Sequence, residues 1–404
     1  MVSTGIICEY NPFHHGHLHQ VNSILEKNPD RLVVCLMSSN FLQRGEPSII
    51  DKYARARCAI QNGADLVIEL PSVFSCSSAE YFAQSSILMF QRLGIIDTLS
   101  FGSESGNLPL LKKIAKTLLF ESSDYREALK AGLAKGLSFP GARESALKSV
   151  LDHSEVQDVI GHPNNILAIE YLKAMALYQA EFSASTIIRK GSAYTDDTIS
   201  SSFPSATAIR KLILNKGLDA VVPHIPSPTY KVMKEEFDAG RGPVSMENFK
   251  DIVPYRISSM SRKELAEYPF MSEGLENRLL KGMENAGTVS GLVDTCSTKR
   301  YPKTRISRAI FHIVLGITDA IYQKAMETGP QYAHVLGASP RGESLFPIMQ
   351  RNALIPFFTS LKGFYERCSK TQRALLDIEI RACNIYASVT DRRYNREFTR
   401  KFEI

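Results

Sequence analysis

The sequence predicts an α/β fold: a parallel sheet with helices on both faces in the first half, then a mainly helical second half. Three observations predict it. Short apolar runs alternate with longer amphipathic segments over the first 105 residues. A polar cluster follows the first run directly, where an open α/β sheet binds its ligands. Beyond a cluster of prolines (Pro223, Pro226 and Pro228) the apolar spacing is mostly that of helices.

The strands read as Thr4–Cys8, Leu32–Met37, Asp65–Leu70 and Thr98–Phe101, with helices at Asp51–Asn62 and Ser78–Leu93 between them. Gly63 and Gly94 are suited to stop those helices. Such βαβ units build parallel sheets. Pro109 to Ala180 reads as mostly helical, Ser185–Arg189 as a further strand, and Ser205–Leu214 as a helix. The domain boundary is placed near residues 217–230. After it, Leu275–Ala286, Ser307–Ile317, Asp319–Glu327 and Gln372–Ile385 read as helices. No internal repeat stands out.

A chain of 404 residues is long enough for two or three domains and a sizeable core. With 44% hydrophobic and 22% charged residues, the fibrous, disordered and disulfide-scaffold classes are excluded. No run of 18 apolar residues occurs, and Met1 to Glu9 is too short and too quickly acidic for a signal peptide. The seven cysteines are scattered, with no CxxC and no zinc spacing, as expected of reduced thiols in the cytoplasm. The net charge of +6 is uneven: residues 221–404 hold 27 Lys and Arg against 20 Asp and Glu, whereas residues 1–220 hold 21 against 22. A polyanion would be drawn to the second half.

Four of the nine histidines, His14, His15, His17 and His19, lie within six residues. Asn11-Pro12 turns the chain after the first strand, and a helix begins near His14. The cluster therefore sits at the carboxyl end of a strand and the amino end of a helix, whose free N–H groups suit phosphate. His14 and His17 are one helical turn apart, so both imidazoles can face one ligand. Gly16 between them leaves room for a nucleotide to approach the backbone. Two imidazole N–H donors can stabilise the charge that grows at an α-phosphorus. A metal site, exposed surface histidines and buried structural histidines are the competing readings.

A second signature follows Phe203-Pro204. Ser205-Ala206-Thr207-Ala208-Ile209-Arg210-Lys211 opens a helix, with Ser205 as its N-cap. The Ser205 and Thr207 hydroxyls and Arg210 are suited to the β- and γ-phosphates. An ordinary capped helix with a surface arginine is the alternative.

Together these motifs resemble the HxGH nucleotidyltransferase superfamily. The string Ile199-Ser200-Ser201-Ser202 looks closer to that superfamily's second motif, but no arginine follows at the required distance. A narrower resemblance rests on Glu9-Tyr10-Asn11-Pro12-Phe13-His14, Phe41-Leu42-Gln43-Arg44-Gly45-Glu46-Pro47, Gly63 to Pro71, Gly102-Ser103-Glu104-Ser105-Gly106, Pro163 to Leu167, and Lys299-Arg300-Tyr301 with Arg305 and Arg308. These strings are similar to the bacterial tRNA(Met) cytidine acetate ligase family. His15 departs from the asparagine usual there, at the variable position of the motif.

The resemblance implies a Rossmann-like nucleotidyltransferase domain over 1–220, which binds ATP and carries the catalysis. It implies a mainly helical, basic, tRNA-binding domain over 221–404. It also implies the reaction: acetate attacks the α-phosphorus of ATP, pyrophosphate leaves, and the 4-amino group of the wobble cytidine of elongator tRNA(Met) takes the acetyl group, releasing AMP. By the same resemblance, His14, His17, Thr207 and Arg210 are the catalytic residues. ATP is lined by Ile6, Ile7, Cys8, Glu9, Tyr10, Asn11, Pro12, Phe13, His14, His15, Gly16, His17, Leu18 and His19. Gly102, Asn164 (preferred to Asn165), Arg189 and Ser205 complete the ATP site.

Attack on ATP calls for positive charge and for Mg²⁺, whose ligands the sequence leaves unassigned. Lys299, Arg300, Tyr301, Lys303, Arg305 and Arg308 are the expected contacts to the anticodon region of the tRNA. Cations interleaved with an aromatic ring suit phosphates and unpaired bases. A solvated helix face is the alternative for them, as it is for Arg392, Arg393, Arg396, Arg400 and Lys401. Two other functions stay open on sequence alone. One is a small-molecule nucleotidyltransferase releasing only pyrophosphate; the other is an RNA-binding protein with a silent nucleotide site.

Overall fold

The computed structural model describes residues 2–137, 139–151, 153–189, 204–400 and 402. The string Ile199–Ser202, and Phe203 after it, lie outside them.

The β-branched and apolar runs form the expected strands: β1 (Ser3–Cys8), β2 (Leu32–Ser38), β3 (Leu66–Leu70), β4 (Thr98–Ser103) and β5 (Ser183–Ile188). All pair in parallel, in the order β5-β4-β1-β2-β3. Alternation along β2 shows why the runs are unbroken. Leu32, Val34 and Leu36 enter one core, while Val33, Cys35 and Met37 enter the other on the opposite face. A strand covered on both faces favours apolar residues at every position.

The second half contributes more than helices. Strand β6 (Ala333–Ala338) lies antiparallel to β3, and β7 (Phe357–Phe358) runs parallel beside β6, extending the sheet to seven strands. The sheet therefore crosses the boundary drawn near residues 217–230. The larger of the two cores likewise joins residues from Leu32 through to Tyr386. All six residues of β6 are buried.

Helix α1 (His15–Lys27) follows β1, and α2 (Lys52–Gln61) follows β2 with Asp51 as its N-cap, the carboxylate accepting the Ala54 N–H at 2.8 Å. Between β2 and α2 the loop 41–47 folds back on itself, with Phe41 bridging Pro47. Gly45 there has φ +75°, and a Cβ on it would lie 2.2 Å from the backbone nitrogen of Arg308 in helix Lys303–Leu315. Only glycine lets this loop lie against that helix. Gly45→Ala is expected to lower Tm by several degrees and to loosen the loop; thermal denaturation checks it.

Candidate active site

The site begins where β1 stops. Tyr10 takes a positive φ of 48°, Asn11-Pro12 is cis, and Asn11 Oδ1 accepts the Ile49 N–H at 2.7 Å. Tyr10 and Phe13 are buried edge to face, ring centroids 4.7 Å apart, and the His17 ring packs against both at 4.9 and 5.5 Å. This buried turn fixes where α1 starts.

His14 is the N-cap of α1. Its Nδ1 accepts the Gly16 N–H at 3.0 Å, and its own backbone N–H donates to His17 Nδ1 at 3.2 Å. The two rings stack with centroids 3.7 Å apart. Since each Nδ1 is an acceptor, each neutral ring carries its proton on Nε2. Burial, with the charges of Arg189, His15 and Arg210, lowers the His14 pKa to about 3. Burial, His14 and Arg189 hold His17 well below its ordinary value. The pair is thus two neutral Nε2–H donors. Gly16 also makes room within the chain: a Cβ there would lie 2.8 Å from His14 Cε1, so the glycine lets the histidine ring lie against the backbone.

The histidines open on a cleft enclosing about 1480 Å³, including its open mouth. Ile7, Cys8, Glu9, Tyr10, Asn11 and His17 line it from the end of β1 and the start of α1. Gly102, Asn164 and Arg189 line it from the β4–β5 side. His14, Gly16 and His19 line an adjoining pocket that shares His17, Gly102 and Arg189. The two asparagines part company. Asn165 is wholly buried, its Oδ1 accepting from Ser103 Oγ at 2.7 Å and the Glu104 N–H at 3.0 Å. Asn164 faces the cleft and accepts from Arg189 at 3.3 Å. A Cβ on Gly102 would sit 3.2 Å from Arg189 Cγ, so that glycine makes room for Arg189 itself.

Helix Ala206–Lys216 brings Arg210 and Ala206 to the cleft. Arg210 donates to the Asn11 carbonyl at 2.9 Å and pairs with Glu46 at 2.7 Å. Ser205 does not present its hydroxyl: it is buried and accepts the Ala208 N–H at 3.1 Å as N-cap. Thr207, half-buried on the same turn, is not among the residues lining the cleft. Ile6 and Phe13 lie in the core beneath, Pro12 is buried with them, Leu18 packs against that core, and the His15 N–H donates to the His224 carbonyl at 3.3 Å.

The sequence reading gave no role to loop 43–46, which organises the cleft. Gln43 donates its N–H to Glu9 Oε1 at 2.9 Å and accepts from Arg308 at 3.1 Å; Glu46 holds Arg210. Nor did it anticipate the buried Arg55, which donates to the carbonyls of Glu9 and Ser39, both at 2.6 Å. A basic residue after an acid N-cap gives no sequence signal of that job.

The expected RNA contacts separate. Arg308 and Thr304 face the cleft. Burial lowers the Arg308 pKa, and its guanidinium lies 5.1 Å from the Phe270 ring centroid. Lys299, Arg300 and Lys303 are exposed outside, Arg300 pairing with Glu273 and Lys303 with Asp294, both at 2.6 Å. Arg305 donates to the Phe270 carbonyl at 3.1 Å. Tyr301 is no open stacking platform: it is buried, its hydroxyl bonded to the Glu273 carbonyl at 2.8 Å and its ring covered by Arg305 and Arg278. In the last basic stretch Arg396 pairs with Asp391 and Arg400 with Asp51, at 3.1 and 2.8 Å.

Among the described residues no group of three or more His, Cys, Asp or Glu side chains is placed to hold a metal ion. No described helix is long and apolar enough to cross a membrane.

Comparison with known proteins identifies the family. The sequence model of the HIGH Nucleotidyl Transferase family matches residues 1–401. The chain is similar to the tRNA(Met) cytidine acetate ligase of Halothermothrix orenii, 39% identical over 381 residues, 92% of this chain and 90% of that one. It is similar to the protein of the same name from Acetivibrio thermocellus, 38% identical over 99% of both chains. Thermotoga maritima TmcAL, solved without ligand, superposes with TM-score 0.94 and 30% identity over 100% of both chains. The same protein bound with alpha-thio ATP gives 0.91 and 29%. With its motifs, its sheet and its full length all matched, the chain belongs to the HIGH nucleotidyl transferase family and, within it, to the tRNA(Met) cytidine acetate ligases.

Proposed function

We propose that this protein uses ATP to join acetate to the 4-amino group of a cytidine in tRNA(Met), the wobble cytidine of the elongator. The observation that carries the proposal is a cleft with a pocket adjoining it. His17 and Arg189 line both, His14 lines the pocket, Arg210 lines the cleft, and Arg308 enters the cleft from the basic half. Full-length similarity to proteins named for this reaction supports the same reading.

In the first step an acetate oxygen attacks the α-phosphorus and pyrophosphate leaves. Acetate is already an anion and needs no base. The Nε2–H groups of His14 and His17 donate to the phosphoryl oxygens, where negative charge builds. Arg189 and Arg210 supply fixed positive charge in a site partly shielded from water. Mg²⁺, when present, would add Lewis-acid charge at the phosphates. In the second step the cytidine amino group takes the acetyl carbon from acetyl-adenylate and AMP departs. The exposed cations Lys299, Arg300 and Lys303 lie on the segment that leads to Arg308, and would meet tRNA phosphates near the anticodon. Reduced thiols are in keeping with a cytoplasmic setting, all seven cysteines being free.

Exchange of labelled pyrophosphate into ATP tests the first step: it should require acetate and not tRNA. Exchange without acetate, or none with it, contradicts the proposal. Replacing Lys299, Arg300 and Lys303 together by alanine should raise the KM for tRNA about tenfold or more and reduce the slope of log KM on log salt by roughly two to three. Steady-state kinetics at several salt concentrations measures both.

A further inference from the structure

A cleft built for a triphosphate should be lined by donors and cations, and this one is, with one exception. Arg44, Arg189, Arg210 and Arg308 all contribute to its wall, and Glu9 is the one carboxylate among its described lining residues. A carboxylate near phosphates is electrostatically costly, so another role must account for it.

Glu9 is the residue immediately after β1, half-buried, at the point where the nucleotide side of the cleft meets the basic half. Its position is set from both sides. The Gln43 N–H donates to Oε1 at 2.9 Å, the Gln43 carbonyl accepts from Arg308, and Arg55 donates to the Glu9 carbonyl. The backbone of one residue, Gln43, thus ties Glu9 to Arg308 on helix Lys303–Leu315. Oε2 has no hydrogen-bond partner among the described residues. A fixed carboxylate with one oxygen committed and the other open is suited to receive an N–H.

The second step needs such an acceptor. The lone pair of a cytidine 4-amino group is delocalised into the ring, so the group is a weak nucleophile. As its C–N bond to the acetyl carbon forms, the nitrogen becomes acidic and must lose a proton. His14 and His17 cannot take it, because each Nδ1 already accepts an N–H and each Nε2 bears a hydrogen.

The geometry points to Glu9 as the general base of acetyl transfer: its Oε2 orients the cytidine amino group and takes the proton as that group attacks. The nitrogen lone pair forms the bond to the acetyl carbon. The bond from that carbon to the phosphate oxygen breaks, and AMP leaves with the electron pair on its oxygen. The proton passes to Glu9 and then to water. This assignment rests on the ligase reading of the same site.

The surroundings suit the role. Burial raises the Glu9 pKa; the Gln43 N–H opposes this, Glu46 adds to it, and Arg210 and Arg44 oppose it. Arg308 and Arg189 are the other charged groups lining the cleft, and His17 is neutral. A carboxylate whose pKa is raised is the stronger base, which favours its taking the proton.

The test separates the two steps in the whole protein with bulk bacterial tRNA. Glu9→Gln keeps the acceptor for the Gln43 N–H but cannot take a proton. Single-turnover transfer of labelled acetyl into tRNA should fall about 10²- to 10⁴-fold. Acetate-dependent pyrophosphate exchange should fall far less than transfer does, and thermal melts of the variant report its folding. Wild-type transfer should rise with pH along an acid limb of unit slope; Glu9→Asp should keep that limb at a lower rate, and Glu9→Gln should lose it. Equal transfer in Glu9→Gln and wild type overturns the assignment. So does a parallel loss of exchange and transfer, which would make Glu9 a nucleotide or metal group. If wild-type protein shows no acetate-dependent exchange, it is the ligase reading that fails, whatever Glu9→Gln does.

Discussion

His17→Asn is expected to lower acetate-dependent pyrophosphate exchange about 10²- to 10³-fold while shifting Tm by no more than a few degrees. The substitution is chosen for its geometry. Asparagine Oδ1 falls near the position of histidine Nδ1, so the His14 backbone N–H keeps its acceptor and the capping of α1 survives. What disappears is Nε2–H, a preorganised donor to the phosphoryl oxygens. Loss of one such donor costs about 3–4 kcal/mol of transition-state stabilisation. His17→Ala should be worse, because it also removes the capping acceptor and leaves a void against the Tyr10 and Phe13 rings. Comparing exchange rates with thermal melts for the two variants separates chemistry from folding.

The same pair makes a pH prediction. The His14 pKa is lowered to about 3 in the folded state, against an ordinary value near 6.5. Folding therefore favours the neutral ring. Its contribution to stability is complete above pH 6.5 and is lost as pH falls from there toward 3. Exchange should show no imidazole limb between pH 6 and 8. A limb centred near 6.5 would mean that a charged histidine performs the step.

Lys52→Met is expected to be the most damaging single change to the fold, costing about 3–5 kcal/mol, a large share of the 5–15 typical of a whole domain. Lys52 is completely buried at the start of α2. Its Nζ lies 2.7 Å from Glu69 on β3, 2.7 Å from Glu397 near the C-terminus and 3.5 Å from Glu379 in helix Lys370–Ser388. Burial lowers its pKa, but the surrounding groups, led by Cys383, Glu397 and Glu69, more than offset this and hold it well above the ordinary value. His334 on β6 bonds the other oxygen of Glu69 at 2.7 Å. Without the ammonium, three carboxylates would share one dry pocket. Chemical denaturation should show the loss, accompanied by poor soluble yield.

Glu379 adds a pH signature to this cluster. Burial and the neighbouring Glu69 push its pKa up to about 7. Because the folded-state value is raised above the unfolded one, its stabilising contribution is whole below about pH 4.5 and is lost as pH rises through 7. Glu379→Gln should flatten the fall in Tm between pH 5 and 8, as measured by melts across that range.

The cluster also shows why part of the fold was hidden from the sequence. Strands β1 to β4 were legible because each holds a short apolar run set off from amphipathic segments; β5, Ser183–Ile188, is polar over its first half and was read two residues late, as Ser185–Arg189. Strand β6, Ala333-His334-Val335-Leu336-Gly337-Ala338, has the composition of a buried helix turn and follows two helices. What makes it a strand is the edge offered by β3 and the Glu69 carboxylate that receives His334, both some 265 residues away. In the same way, His14, His17 and Arg210 could be singled out by spacing, and Arg189 by the family resemblance. The spacing could not show that Gly16 serves the His14 ring, that the Ser205 hydroxyl is spent on a cap, or that Arg308 turns inward while Arg300 stays out. Those outcomes depend on which carbonyl or carboxylate the fold brings near each side chain.

The central claim is that one cleft couples ATP cleavage to acetylation of RNA. It is tested most directly by incubating the protein with ATP, Mg²⁺, labelled acetate and bulk bacterial tRNA, digesting the RNA and analysing nucleosides and nucleotides together. The account predicts label in N4-acetylcytidine with one AMP formed for each acetyl group transferred, and no label in RNA when ATP is omitted. Pyrophosphate release onto another acceptor, with no acetylcytidine in the tRNA, would contradict it.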